Sequence, residues 1–139
     1  MINGVNDDLI LAARLLLATL FLIFGFRKLK DYSGTVSQIA QLGGPMPRLA
    51  AAVAIFMELP VAFAVAVGAF ARSAALLLFL YTLGTALIGH RYWTMTGADE
   101  VDSMDSFYKN LSIMGGLLLL YVSGAGKYSI DALRGIGAP

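Results

Sequence analysis

The sequence predicts an all-α integral membrane protein: a four-helix transmembrane bundle with a short interfacial helix in its first loop. Three observations carry this. Hydrophobic residues make up 58% of the 139 residues and charged residues only 14%, where soluble domains average about 45–50% and about 25%. The charges are clustered, leaving four charge-poor gaps, each near the roughly 17–25 residues a helix needs to cross a hydrocarbon core. Those gaps are continuous apolar runs without the alternation of a transmembrane barrel, and in lipid only helices or closed barrels satisfy their backbone.

The first span covers residues 9–28, and from Leu9 to Phe26 only Arg14 interrupts it. Before it, Asp7 and Asp8 stand where a signal peptide would need a positive region, so this segment reads as a retained span. Arg14, Ala18, Phe21, Gly25 and Lys28 recur at helical spacing and fall on one face. After Asp31, Val36, Ile39 and Ala40 follow helical spacing behind a capping Ser33 and predict the interfacial helix. Gly43, Gly44, Pro45 and Pro47 end it. The second span, residues 49–70, contains Glu58 and Pro60, which predicts a kink. A tight turn at Arg72 leads to the third span, residues 73–92. The connection from Arg91 to Tyr108 carries Asp99, Glu100, Asp102 and Asp105, and the fourth span occupies residues 108–125. Ala64, Gly68, Gly84, Gly89, Gly115 and Gly116 suit close helix packing. All this makes one membrane domain over 1–139.

Composition excludes several functions. A net charge of +1 is not that of a nucleic-acid binder. With no cysteine and a single histidine, His90, the chain has no thiol redox pair or iron–sulfur ligands, and no metal site is expected. No glycine-rich dinucleotide fingerprint follows a strand.

Two charges stand inside spans without a solvent-exposed reason. Glu58 sits near mid-span, where a carboxylate must be protonated, paired or hydrated. Arg14 is placed either to pair with Glu58 or to snorkel to headgroups. Antiparallel threading gathers Arg27, Lys28, His90, Trp93, Lys109 and Asn110 at one end. With Glu58 and His90 as catalytic acid–base groups, and Arg14, Arg27, Lys28, Trp93, Lys109 and Asn110 as binding groups, the pocket would suit a planar, lipid-soluble carbonyl headgroup such as a quinone. The plain alternative is that Lys, Arg and Trp simply flank membrane helices. Lys and Arg counts, six against four, place the long loops on the cytoplasmic side.

The order and spacing of further residues resemble the DoxX family of small bacterial inner-membrane proteins. They run from Arg14, Leu20-Phe21, Gly25 and Lys28 through Tyr32-Ser33-Gly34-Thr35, Gly44-Pro45 and Glu58. They continue with Gly68, Arg72, Thr82-Leu83, His90, Phe107 and Lys109-Asn110-Leu111, then Gly115-Gly116 and the stretch from Gly124 to Asp131. The resemblance implies a four-helix membrane bundle, a multi-pass inner-membrane location and a link to quinone chemistry. Relatives include membrane subunits of a thiosulfate:quinone oxidoreductase and members of oxidative-stress complexes with soluble partners. It carries interest to Arg14, Lys28, Glu58, His90, Lys109 and Asn110.

The expected function is therefore a quinone- or quinol-interacting membrane subunit of an oxidoreductase system, with a bound quinone and no cofactor of the chain's own. The rival is a non-catalytic anchor or assembly factor that recruits a soluble redox or stress-response partner. Expected partners are the lipid bilayer, a soluble or membrane oxidoreductase and further copies of the chain, but no nucleic acid. A transporter ranks last, since the internal repeat is faint.

Overall fold

A computed structural model describes residues 2–135, so the domain expected over 1–139 extends at both ends outside the described residues. The order of elements is α1 (Ile2–Lys30), α2 (Tyr32–Gln41), α3 (Pro47–Phe56), a π-turn (Met57–Val61), α4 (Ala62–Val67), α5 (Ala71–Gly89), a 3₁₀ turn (Tyr92–Thr94), α6 (Gly97–Ser123) and α7 (Ile130–Leu133). Among the described residues there is no strand.

The arginine–lysine stripe lies where its spacing puts it. Arg14, Ala18, Phe21 and Gly25 are all buried on the inward face of α1. Arg27, Lys28 and Lys30 fill its last turn, where positive charge suits the helix C-terminus. One residue later α2 begins, and its cap is Asp31 rather than the expected Ser33. The Gly34 amide donates to Asp31 Oδ1 at 3.1 Å. The reason is that α1 persists to Lys30, which leaves Asp31 alone at the corner with its carboxylate facing the new helix's free amides. Gly43 takes a left-handed φ of 79° and ends α2. Pro47 then opens α3 at a position where its missing N–H costs nothing.

The expected kink resolves into the π-turn. Pro60 lies inside it, and the Ala62 amide reaches Met57 O, five residues back. Widening the helix by one residue is a common answer to a proline that cannot donate. Gly68, at φ 73°, closes α4.

Among the described residues, three stretches are long and apolar enough to cross a membrane: Asn6–Lys30, Pro47–Val67 and Ala71–Thr94. They match the first three expected spans. Residues 108–123 of the fourth expected span, 108–125, fall in α6, which starts eleven residues before that span, at Gly97. Its first half carries Asp99, Glu100, Asp102 and Asp105, which therefore belong to a helix and not to a connecting loop. Asp99 and Glu100 occupy the first turn, where acids favour helix initiation.

The core is one cluster around Phe21, Val61, Val65, Leu78, Leu117 and Leu120, drawn from α1, the π-turn, α4, α5 and α6. Small residues (Ala18, Ala62, Ala71, Ala75, Ala86) are fully buried between the helices, which lets backbones approach. Of the glycines expected to do the same, Gly116 meets Leu17, whereas Gly84, Gly89 and Gly115 face open space. The outward face is apolar: Leu16, Phe63, Leu80, Leu119 and Val122 are all exposed. So broad an uncovered belt is what a lipid-facing surface requires.

Candidate functional site

The helices arrange the buried polar groups in two separate clusters. The first is built on the π-turn. Its widened register turns Glu58 into the bundle, where the residue is 2% exposed. Gly25 on α1 allows the close approach: a Cβ at that position would stand 2.8 Å from Glu58 Cβ and 2.9 Å from Leu59 Cγ. Lys28, one turn further along α1, directs its chain back toward the helix N-terminus, as helical side chains do. Its Nζ donates to Glu58 Oε1 at 2.8 Å. From α5 the Tyr81 hydroxyl donates to Glu58 Oε2. Both carboxylate oxygens are thus held, one by a cation and one by a phenol.

Lys28 also faces outward. With Phe24, Arg27, Asp31, Gly34, Thr35 and Gln38 it lines an open cleft of about 420 Å³ at the elbow between α1 and α2. We refer to this end of the bundle as the elbow pole. A larger apolar groove, about 740 Å³, runs between α1 and α6 and holds none of the candidate side chains.

The remaining expected residues distribute around the elbow pole. Arg27 is exposed and lies 5.6 Å from the Phe24 ring centre. His90 follows α5 within electrostatic reach of Lys109 and Lys28. Asn110 contacts the Thr85 hydroxyl at 3.4 Å. Lys109 is exposed. Trp93 is more than half exposed and packs edge-on against Tyr92 and Phe107, at 5.2 and 5.8 Å between ring centres. Arg91 fastens this region by donating to Leu42 O at 2.6 Å.

Arg14 is elsewhere. It precedes Lys28 by fourteen residues, about 21 Å of helix. It is 1% exposed, so it neither pairs with Glu58 nor snorkels. Its guanidinium donates to three backbone carbonyls: Ala125, Ala66 at 3.2 Å and Tyr128 at 2.8 Å. A planar fork with several donors suits this use, which lysine could not reproduce. Beside it, buried Asp131 accepts from the amides of Phe70 at 2.6 Å and Ala71 at 2.8 Å, capping α5 from sixty residues away. Its own amide donates to Gly68 O at 2.9 Å. This second cluster, the tail pole, fastens the segment after α6 to the α4–α5 turn.

Two residues escaped the sequence reading. Tyr81 is an uncharged residue in an apolar span, and only its polar hydroxyl at that depth hinted at a role. Asp131 was noted only as part of a motif, because a tail acid next to a helix looks like surface.

Fold and site together define a polytopic α-helical membrane protein with one buried ion pair among the described residues. The DoxX family profile matches residues 9–91, and the chain belongs to the DoxX family. That match contains Arg14, Lys28, Glu58, Tyr81 and His90. The chain is 49% identical over 123 residues to the inner membrane protein YphA of Escherichia coli (strain K12), covering 88% of each chain. It is 36% identical over 128 residues to the inner membrane protein YqjF of the same organism, covering 92% of this chain and 93% of that one. No solved structure matches it. Its location is the bacterial inner membrane.

Proposed function

We propose that the chain is a quinone-interacting membrane subunit of an oxidoreductase system. The observation that carries this reading is Glu58, held buried between the Lys28 ammonium and the Tyr81 phenol, beside a cleft open at the elbow pole. A planar carbonyl headgroup needs a cation or hydroxyl to donate to its oxygen and an acceptor for its hydroxyl once reduced, and this trio contains both kinds of group. A bound quinone would supply the two-electron, two-proton couple that the cysteine-free chain lacks. The chain's part is to position and to handle protons: Glu58 accepts a proton at its carboxylate, and Lys28 and Tyr81 orient that carboxylate. His90, near Lys28 and Lys109, is the second proton-handling group, closer to the membrane surface.

We also propose that α6 crosses the membrane, completing a four-helix bundle. Its supports are two contacts with α5. Arg72, at the start of α5, reaches Val122 O near the end of α6, and Thr85, near the end of α5, meets Asn110. The two helices thus run antiparallel along the length of α5, and Met114, Leu117 and Leu120 of α6 are buried. The positive residues Arg27, Lys30, Arg48, Arg91 and Lys109 then put the elbow pole in the cytoplasm.

The test is chemical. Membranes solubilised in mild detergent should yield the protein with quinone bound, and Glu58→Gln and Tyr81→Phe should each lower the extracted quinone per protein. Equal quinone in all three preparations would overturn the reading.

The anchor reading draws on a different observation. The acidic first half of α6 and the exposed Trp93 and Tyr108 form a polar and aromatic surface at the elbow pole. A soluble enzyme that co-purifies without quinone, and is lost when Trp93 and Tyr108 are both changed to Ala, would favour it.

A further inference from the structure

Glu58 stands between two unlike surroundings along the bundle. Toward the elbow pole the path is polar. Lys28 touches Glu58 at 2.8 Å while 30% of its side chain remains exposed, and it shares the open cleft with Arg27, Asp31, Thr35 and Gln38. Toward the tail pole the path is apolar. Phe21, Val61, Val65, Leu78, Leu117 and Leu120 are all buried in one continuous cluster. The next buried polar group in that direction is Arg14, whose hydrogen bonds go to backbone carbonyls, that of Ala66 at the edge of the cluster and those of Ala125 and Tyr128 in the tail. The buried Thr82 hydroxyl turns back on its own helix, donating to Leu78 O at 2.7 Å.

We infer that Glu58 exchanges protons with one aqueous face only, that of the elbow pole, and that the bundle is a dead end rather than a path across the membrane. A packed apolar layer has neither room nor partners for water, and a charge crossing it without water is strongly disfavoured. The ionisable groups bonded to Glu58 are Lys28 from α1 and Tyr81 from α5; His90 stands at the elbow-pole end of α5, and Lys109 adjoins Asn110, which meets Thr85 near that end. Every one of them lies at Glu58 or on its elbow side. A proton-coupled reaction at Glu58 therefore takes and returns its proton on one side and moves no net charge through this chain. The inference needs no quinone and holds equally for the anchor reading, but it excludes a proton-driven transporter.

The absence of cysteine makes the test direct. Single variants Gln38→Cys, at an exposed position of the cleft, Glu58→Cys and Val65→Cys are placed in sealed vesicles of both orientations and treated with a charged, membrane-impermeant thiol reagent. Gln38→Cys and Glu58→Cys should label from the same face and not from the other, and Val65→Cys from neither. Labelling of Glu58→Cys from the opposite face or from neither face, or of Val65→Cys from the tail face, overturns the inference. Because Glu58→Cys removes the partner of Lys28 and can prevent folding, the unsubstituted chain is treated in parallel with an impermeant quaternary-ammonium carbodiimide. Mass spectrometry should find the Glu58 adduct, or the Lys28–Glu58 amide, only from the face that labels Gln38→Cys. Reaction from the opposite face, or from neither, overturns the inference.

Discussion

Gly25 of α1 and Glu58 of the π-turn are in direct backbone-level contact: a side-chain carbon on Gly25 would meet Glu58 Cβ at 2.8 Å and Glu58 C at 3.0 Å. The glycine therefore sets the distance at which Lys28, on the same face of α1, can bond the carboxylate. It couples a helix–helix spacing to the geometry of the candidate site.

Gly25→Ala should push α1 away from the π-turn and destabilise the protein by about 1–3 kcal/mol, as overpacking does elsewhere. Thermal unfolding in detergent measures the loss. Gly115→Ala, where a Cβ meets open space, is the control and should hold or raise the melting temperature, since alanine suits a helix interior better than glycine.

Removing either half of the Lys28–Glu58 pair should have unequal consequences. In Lys28→Met the carboxylate, only 3% exposed, keeps Tyr81 but loses its counter-charge, a loss that costs about 3–5 kcal/mol in buried pairs. In Glu58→Gln the partly exposed Lys28 swings into the cleft and water, so the cost is smaller. The double variant should recover part of the larger loss. A double-mutant cycle of unfolding midpoints measures this, and equal single effects would contradict the burial asymmetry.

Asp131→Ala removes the carboxylate that caps α5 and sits beside buried Arg14. Loss of a cap costs about 0.5–2 kcal/mol. The segment from Gly124 onward should also become sensitive to protease, because its attachment to the α4–α5 turn is cut. Arg14→Lys should produce the same sensitivity, since one ammonium cannot hold the carbonyls of Ala66, Ala125 and Tyr128 together.

If α6 crosses the bilayer, Thr96→Cys and Lys127→Cys should label from opposite faces, with Thr96→Cys on the cytoplasmic side. Labelling of both from one face would place α6 along the surface.

The apolar spans were legible because hydropathy is a property of each helix by itself. The gaps around Arg14, Glu58 and the uncharged stretch from Ser73 to Gly89 correspond to three apolar helical stretches, though α1 begins seven residues before residue 9, at Ile2. Lys28 and Glu58 were also legible, the one as the end of a stripe and the other as a charge at an impossible depth. The partners of Arg14 were not. They are carbonyl groups, which every residue carries, so no side-chain pattern marks Ala66, Ala125 or Tyr128. Tyr81 was missed because a phenol is tolerated in apolar spans and declares its role only when a carboxylate faces it. The start of α6 was misjudged because its acids read as a connection, whereas the same acids stabilise the first turn of a helix.

The cap on α5 carries an implication for how the protein is made. Asp131 is synthesised sixty residues after Ala71, so α5 leaves the ribosome and enters the translocon with its first amides unanswered. The carbonyls that neutralise Arg14 arrive equally late, apart from Ala66. Until the chain has been made through Tyr128 and Asp131, then, Arg14 lacks two of its three carbonyl partners and α5 lacks its carboxylate cap. The contacts that fasten the tail to the α4–α5 turn are thus the last of these to become available along the chain.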